Sequence, residues 1–313
     1  MKNKRMMVFS AAMFFLLTIQ AYAVPKLRVV ATLSGFADLV KKIGGDHVDV
    51  HTVASPKFNP HFIEPKPSDV LRTAKADLLV HAGLDLEAWR PPLVEAASNI
   101  KVIPGGSGEL DLAQGITLME VPTKPISRSQ GDIHMFGNPH YWMDPENGKP
   151  MAKSIADKLG EMDPEHQKEY QANLASFLTK LDAKIKEWKA QIASDRGKEA
   201  LAYHNEWCYL CGFTGIKIEQ FLEPKPGIPP TPKHLAFLEE YIKGHHITAI
   251  FQASYYSKDA ARALEKRTGI KMYLLCQNVG ELPEASDFFS FFDYNIGQLR
   301  KAFSVTVYPQ LSS

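Results

Sequence analysis

The sequence has few cysteines and a single long apolar run, and neither sign of charge dominates it. Lysine and arginine number 36 against 35 aspartates and glutamates, which gives no electrostatic reason to expect a nucleic-acid partner. After the first 23 residues, no stretch approaches the about 18 uninterrupted apolar residues that suggest a membrane-spanning helix. The sequence therefore predicts neither a nucleic-acid-binding protein nor an integral membrane protein.

The amino terminus has the pattern of a secretory signal peptide. Three basic residues precede the apolar run MMVFSAAMFFLLTI, and the small-x-small site Ala21-Tyr22-Ala23 follows it. The run is about 14 residues long, which is too short to span a bilayer comfortably. We expect cleavage after Ala23, so that residues 1–23 are a signal peptide. No cysteine follows the cut, so we expect a soluble periplasmic protein rather than a lipid-anchored one.

Short β-rich runs alternate with helical runs in both halves of the chain. LRVVATL (27–33) and VDVHTVA (48–54) predict strands, and PSDVLRTAKA (67–76) predicts a helix. Further strands are predicted at 77–83, 100–105, 199–204, 216–221, 247–253 and 271–276. Such alternation is typical of parallel α/β sheets.

One long amphipathic helix separates the two alternating regions. Asp163-Pro164 supplies an N-cap and a proline at the first helical position. From Leu174 to Ile192, apolar residues then recur at spacings of three and four. We expect one rigid connecting helix of about 30 residues, roughly 45 Å long.

These elements predict an α/β protein of two parallel-sheet lobes joined by a long rigid helix. The expected divisions are an N-terminal lobe at 24–162, the connecting helix at 163–195 and a C-terminal lobe at 196–313. Open sheets bind ligands beyond the carboxyl ends of their strands. The cleft between the lobes is therefore the expected binding site.

Three of the 11 histidines stand where a strand or loop should reach this cleft. His61 lies in a proline-rich loop, His140 lies in GNPHYWMDP, and His204 follows the apolar run EALAY. Their wide separation excludes a local zinc-finger loop, so any shared site must be assembled by the fold. The spacing alone leaves open both a metal site and ordinary loop or core roles.

These stretches resemble the metal-specific substrate-binding proteins of ABC transporters, which are exported zinc and manganese receptors. The matching segments are, in order, NPHFIEPKPSD, ADLLVHAGLDLEAW, GNPHYWMDPENG, AYHNEWCYLCGFTG and IFQASYYSKDAARALEKRTGI. They span essentially the whole mature chain. The resemblance implies two α/β lobes bridged by one helix, with a metal ion held between them by His61, His140 and His204.

The fourth ligand position departs from the family's pattern. Many relatives have an aspartate near the last strand, where this chain most simply puts Gln277, and often a glutamate where it has Gln252. Imidazole nitrogens suit tetrahedral Zn²⁺, whereas Mn²⁺ prefers oxygen-rich ligation. The missing carboxylate therefore favours Zn²⁺ over Mn²⁺. Water, Gln277 or an unrecognised carboxylate remain candidates for the fourth ligand.

His134 is an accessory candidate that the resemblance brings forward. Many zinc receptors carry a long histidine-rich loop just before their second ligand. The equivalent region here, roughly 105–137, contains only His134. This residue is expected either to hand metal to the site or cap it, or to be a simple loop residue.

Cys208, Cys211 and Cys276 are an odd number of cysteines for an exported protein. The pair Cys208-Tyr-Leu-Cys211 is unlike typical redox motifs, although it could also suggest a soft-metal site. In an oxidising compartment a structural disulfide is the ordinary expectation. We expect Cys276 to pair with Cys208 or Cys211, with a local Cys208–Cys211 bond as the alternative.

The expected function is a high-affinity periplasmic zinc receptor that delivers Zn²⁺ to the membrane permease of an ABC importer. We expect a monomer, with a periplasmic metallochaperone as a second candidate partner. A manganese receptor is the main alternative, ahead of a receptor for siderophores, haem or cobalamin.

An enzyme is not expected. Three histidines with an open position also describe a catalytic zinc site, in which Glu64 or Glu206 would be the candidate base. The sequence has no HExxH helix or nucleophile elbow to support that alternative.

Overall fold

A computed structural model of the chain describes residues 25–123, 134–225 and 227–304. The predicted signal peptide lies outside these residues. Within the described part of the chain, no helix is both long and apolar enough to cross a bilayer.

The N-terminal lobe is built on a four-stranded parallel sheet. Its strands are β1 (Leu27–Ala31), β2 (Val48–Thr52), β3 (Leu78–His81) and β4 (Glu109–Asp111), in the order β2-β1-β3-β4. The accompanying helices are α1 (Ser34–Gly44), α2 (Pro67–Ala74), α3 (Arg90–Ala97) and α4 (Gly148–Met162). The central strands are apolar and buried because helices cover both faces of a parallel sheet.

The C-terminal lobe repeats this topology. Its strands are β5 (Glu199–Ala202), β6 (Lys217–Phe221), β7 (Ala249–Gln252) and β8 (Lys271–Leu274), in the order β6-β5-β7-β8. Its helices are α6 (Cys208–Thr214), α7 (Pro232–His245) and α8 (Asp259–Thr268). The predicted fold class, two parallel-sheet lobes joined by a long helix, is therefore confirmed.

The strand predicted at 100–105 is wrong. This segment forms turns, and Ile100 and Ile103 are 81% and 42% exposed. Gly106 N–H donates to the Ile103 carbonyl, which closes one turn, and the chain rejoins the sheet only where Leu79 N–H donates to the Gly108 carbonyl. The β4 strand begins immediately after this contact. An apolar run can thus resemble a strand without pairing with one.

The connecting helix α5 (Gln167–Ile192) lies between the lobes. It has 26 residues, because the turns before and after it, Pro164–His166 and Ala193–Asp195, are 3₁₀ helices. Its buried side chains recur along one stripe: Tyr170, Leu174, Phe177, Leu181, Ile185, Trp188 and Ile192. The predicted amphipathic pattern therefore corresponds to a packed helix.

The two lobes share one continuous apolar core. That core contains Phe36 of the N-terminal lobe, Trp188 of α5 and Phe251 of the C-terminal lobe. The last helix, α9 (Phe288–Ser304), packs along α5. Its first backbone N–H donates to Asp38 of α1 at 2.8 Å, so α9 is attached to both lobes. The connecting helix is therefore held along its length.

No disulfide joins the three cysteines, all of which lie among the described residues. Cys208 and Cys211 lie on α6, which packs against β6 and α5. Cys276 follows β8, at the opposite edge of the sheet, so the sheet separates it from both expected partners. The local Cys208–Cys211 bond is not formed either. Burial raises the pKa of the Cys211 thiol to about 12, which disfavours the thiolate that disulfide exchange requires.

Replacing Phe292 with alanine should lower the free energy of unfolding by roughly 3–5 kcal/mol, the usual loss for a buried phenylalanine. Its ring is 0% exposed and lies 5.3 Å from the Trp188 ring between centroids. Urea denaturation of the metal-free protein measures the change. Phe237→Ala is the matched control. Because Phe237 is 49% exposed, its replacement should change the free energy of unfolding by less than about 0.5 kcal/mol. Equal losses in the two variants would contradict this packing.

Candidate metal centre

Three histidines converge between the two lobes. His61 lies on the loop after β2, His140 precedes a 3₁₀ turn, and His204 lies two residues beyond β5. One ring nitrogen from each lies within 4.8 Å of the other two. All three side chains are buried. The fold thus brings together the three histidines that the sequence predicted.

Two of these histidines are held by the same local motif. The tripeptide Asn-Pro-His occurs at 59–61 and again at 138–140. The Asn59 side-chain oxygen accepts both the backbone N–H of His61, at 3.0 Å, and its Nδ1–H, at 2.7 Å. The Asn138 oxygen does the same for His140, at 3.0 and 2.9 Å. This repeated tripeptide is a sequence signal that a search for histidines alone misses.

The Asn138 amide also links the two lobes. Its nitrogen donates to the backbone carbonyl of Asn205 at 3.0 Å, and Asn205 directly follows His204. The backbone carbonyl of Asn138 accepts the Tyr209 hydroxyl of α6 at 2.9 Å. The loops that carry His140 and His204 are therefore fixed relative to one another.

His204 is held by a carboxylate. Its Nδ1–H donates to Glu223 Oε2 at 2.9 Å, and the Glu223 side chain is only 9% exposed. Glu223 lies just beyond β6, the strand paired with β5. Sequence reasoning missed Glu223, because only the sheet brings it beside His204.

His134 approaches the same cluster from the outside. Its Nε2 lies 3.1 Å from His61 Nε2, and its Nδ1–H donates to Asp85 Oδ1 at 2.8 Å. Asp85 also accepts the backbone N–H of Met135 at 3.1 Å. Asp85 adopts a left-handed backbone conformation, with φ of 58°, which non-glycine residues seldom adopt outside functional or turn positions.

The four imidazoles therefore share one arrangement. An oxygen acceptor holds Nδ1–H of each ring, which leaves Nε2 as the lone-pair donor. Nε2 of His140 is buried and has no hydrogen-bond partner. An unpartnered buried acceptor is unfavourable by about 1–3 kcal/mol, and a bound cation would remove that penalty. The residues present therefore fit a metal ion that accepts nitrogen ligands.

Burial also keeps two of these imidazoles uncharged. It lowers the pKa of His61 well below the usual value, and the neighbouring His204 and His134 lower it further. Burial also lowers the pKa of His140, and charge repulsion from His61, His204 and His134 lowers it further. Neutral imidazole is the form that binds metal. His61 and His140 are thus held in the neutral form that can bind a cation.

Gln277 lies in a buried network beside the cluster. The Tyr255 hydroxyl is 2.5 Å from Gln277 Oε1 and 3.0 Å from Glu206 Oε2. Burial raises the pKa of Glu206 well above the usual range, which favours its protonated form. The Gln277 backbone carbonyl accepts Trp142 Nε1–H at 2.9 Å, and the Trp142 ring packs 5.4 Å from that of His140. Gln277 thus holds the Trp142 ring that packs against His140.

A two-lobed α/β fold with histidines converging between its lobes defines a class, the substrate-binding proteins of metal ABC transporters. The chain belongs to the family described as zinc-uptake complex component A periplasmic, whose model matches residues 29–302. The resemblance found in the sequence is thereby confirmed.

Three relatives illustrate the range of metals for which members of this class are named. ScbA of Streptococcus cristatus, a metal ABC transporter substrate-binding lipoprotein, is 28% identical over 288 residues, which is 89% of each chain. PsaA of Streptococcus anginosus, named for manganese, is 27% identical and covers 89% of this chain and 90% of its own. MtsA of Streptococcus pyogenes serotype M1, named for iron, is 29% identical over 79% of this chain and 78% of its own. These names agree on metal transport and differ in the metal.

Solved structures show the same fold. A crystal structure of ZnuA aligns with a TM-score of 0.75 at 25% identity, covering 88% of this chain and 98% of that one. A zinc-bound ZnuA deletion mutant aligns with a TM-score of 0.73 at 26% identity, over the same shares of the two chains.

Replacing Glu223 with glutamine should weaken Zn²⁺ binding by roughly 10- to 100-fold, the usual effect of changing the partner of a metal-bound histidine. The variant keeps the volume and removes the charge behind His204. Competition with a chelating dye measures the affinity. Glu219→Gln, an exposed change on the same strand β6, is the control and should leave it unchanged. Equal affinities for both variants would exclude a supporting role for Glu223.

The metal-free protein should lose stability as the pH falls below about 6.5. In the unfolded chain His61 and His140 take up protons near pH 6.5, whereas the folded chain resists protonation until their lowered pKa values are reached. Each residue contributes a slope of up to about 1.4 kcal/mol per pH unit in that window. Denaturation of the wild type and of a His61→Gln/His140→Gln variant at pH 7.5 to 5.5 tests this. The variant should show the shallower pH dependence, and parallel curves would refute the assignment.

Proposed function

We propose that this protein is a high-affinity periplasmic receptor for Zn²⁺ that delivers the ion to the permease of an ABC importer. The observation that carries the proposal is the convergence of His61, His140 and His204, with their nitrogens within 4.8 Å of one another in a buried cleft. Three fixed nitrogen donors favour a bare cation over an organic chelate, because a chelator would already fill the coordination positions on the metal that the imidazoles need.

His134 is the fourth ligand in this proposal. Its Nε2 is 3.1 Å from that of His61, close to the about 3.3 Å between two nitrogens bound at 2.0 Å to a tetrahedral zinc ion. A shift of its loop toward His140 and His204 completes the set. Gln277 is the weaker candidate, because its amide oxygen already accepts a hydrogen bond from Tyr255.

The donor chemistry favours zinc among the metals named for the relatives. Four imidazoles suit Zn²⁺, whereas Mn²⁺ prefers carboxylate and carbonyl oxygens. Within the described residues, the converging cluster consists of histidines without a carboxylate. A manganese receptor is the alternative, supported by the name of the relative PsaA.

A binding role is favoured over zinc-dependent catalysis. A hydrolytic zinc site needs an ionised base beside the metal-bound water. Burial raises the pKa of Glu206 well above the usual range, which disfavours the ionised form that a base requires. The other candidate, Glu64, is exposed to solvent and is not part of the histidine cluster.

The surface around the cluster suits a protein partner. Apolar side chains next to His61 and His134 in the chain are largely exposed: Phe58 at 62%, Phe62 at 64%, Met135 at 61% and Phe136 at 54%. Exposed apolar side chains grouped at one place commonly mark an interaction site. We propose that a monomer presents this face to the permease and, before loading, to any metallochaperone.

Single alanine substitutions of His61, His140 and His204 should each weaken Zn²⁺ binding by more than roughly 100-fold, because losing a ligand costs more than losing a supporting residue. His134→Ala should weaken binding less, since three ligands remain. His246→Asn is the control, because His246 is exposed and its left-handed conformation suits asparagine. Equilibrium dialysis with metal analysis measures the five variants and the wild type.

The same experiment with Mn²⁺ tests the choice of metal. Most nitrogen and oxygen sites bind Zn²⁺ more tightly than Mn²⁺, so a ranking of affinities alone is not decisive. The proposal predicts stoichiometric retention of Zn²⁺ and no stoichiometric retention of Mn²⁺, both in vitro and in protein isolated from the native periplasm. A full equivalent of Mn²⁺ in the isolated protein would favour the manganese alternative.

A further inference from the structure

A second group of metal-binding side chains lies on the outer surface of the N-terminal lobe. His47 belongs to the 3₁₀ turn before β2, His166 ends the 3₁₀ turn before α5, and Glu169 lies in the first turn of α5. One ligand atom from each residue lies within 4.8 Å of the other two. We propose that these residues form a second Zn²⁺ site, independent of the cleft.

The side chains are already close enough to share an ion. His47 Nε2 lies 2.8 Å from Glu169 Oε2. The rings of His47 and His166 stack with 3.7 Å between their centroids and 22° between their planes, so they must turn toward one another before a nitrogen of each can face the same ion. Two imidazoles and one carboxylate are ordinary zinc ligands, and water completes a tetrahedral shell.

Asp163 holds His166 in the way that Glu223 holds His204. Asp163 Oδ2 accepts Nδ1–H of His166 at 2.7 Å and the Tyr170 hydroxyl at 2.6 Å. A carboxylate behind a histidine orients the ring and makes it a better ligand. The same hydrogen bond raises the pKa of His166, so a metal ion competes with a proton for the other ring nitrogen.

The position of this cluster separates it from the cleft. His47 lies at the amino end of β2, whereas His61 follows the carboxyl end of the same strand. The five residues of β2 span roughly 16 Å, so no single ion can contact both clusters. An ion at the outer cluster would also connect the N-terminal lobe to the start of α5.

The outer cluster should bind Zn²⁺ more weakly than the cleft. The Glu169 side chain is 64% exposed and that of His47 is 25% exposed, so water competes for the ion and the ligands are less firmly held. The cleft histidines are buried and fixed by hydrogen bonds. The outer site is therefore expected to fill only after the cleft.

Zinc stoichiometry in the untagged mature protein tests this inference. The wild type should bind two equivalents, one weaker than the other, in equilibrium dialysis with metal analysis. A His61→Ala/His140→Ala/His204→Ala variant should keep only the weaker equivalent. Adding His47→Ala and His166→Ala to that variant should abolish it, whereas adding His246→Asn should not.

Two further measurements guard against a folding artefact. Glu169→Gln, a conservative change at an exposed position, should weaken the second equivalent in an otherwise wild-type chain. Zinc added to the cleft triple variant should shift the NMR signals of the His47 and His166 ring protons. A cleft variant that binds no zinc, or one whose weaker equivalent survives the loss of His47 and His166, would overturn the second site. Neither result depends on which metal the cleft prefers.

Discussion

The structure depends on hydrogen bonds that hold histidine rings from behind. Asn59, Asn138, Glu223 and Asp85 each accept Nδ1–H of one imidazole, so these hydrogen bonds fix the direction of the remaining nitrogens. Preparing such donors in a buried place is costly, as the unpartnered Nε2 of His140 illustrates. The fold tolerates this unfavourable free energy because strand ends and proline-containing loops fix the backbone of the residues that carry the rings.

The shared core explains how the two halves of the site keep their spacing. Ligands from both lobes would separate easily if the lobes met only through a flexible linker. Here α5 is packed along its length and α9 is attached to both lobes. This arrangement favours a preformed site, which the coordination proposed for His134 would complete.

Much of the fold could be predicted from the sequence, since strand and helix periodicity is local information, whereas the three cleft histidines were selected by the resemblance to a family. The supporting residues Glu223 and Asp85 could not, because the sheet and a strained loop bring them beside histidines distant in the chain. The repeated Asn-Pro-His tripeptide was a visible signal for two of the supporting hydrogen bonds. The expected disulfide was wrong because it rested on the compartment and the cysteine count, neither of which shows that β8 and α6 lie apart. The turns around Gly106 likewise interrupt an apolar run that resembled a strand.

Zinc K-edge X-ray absorption on protein loaded with less than one equivalent of Zn²⁺ tests the central claim most directly, because the tighter site then dominates the signal. We expect a four-coordinate ion with imidazole nitrogens at about 2.0 Å and scattering from four rings. Three rings and one oxygen would contradict the role given to His134. A six-coordinate shell dominated by oxygen would contradict the imidazole site itself.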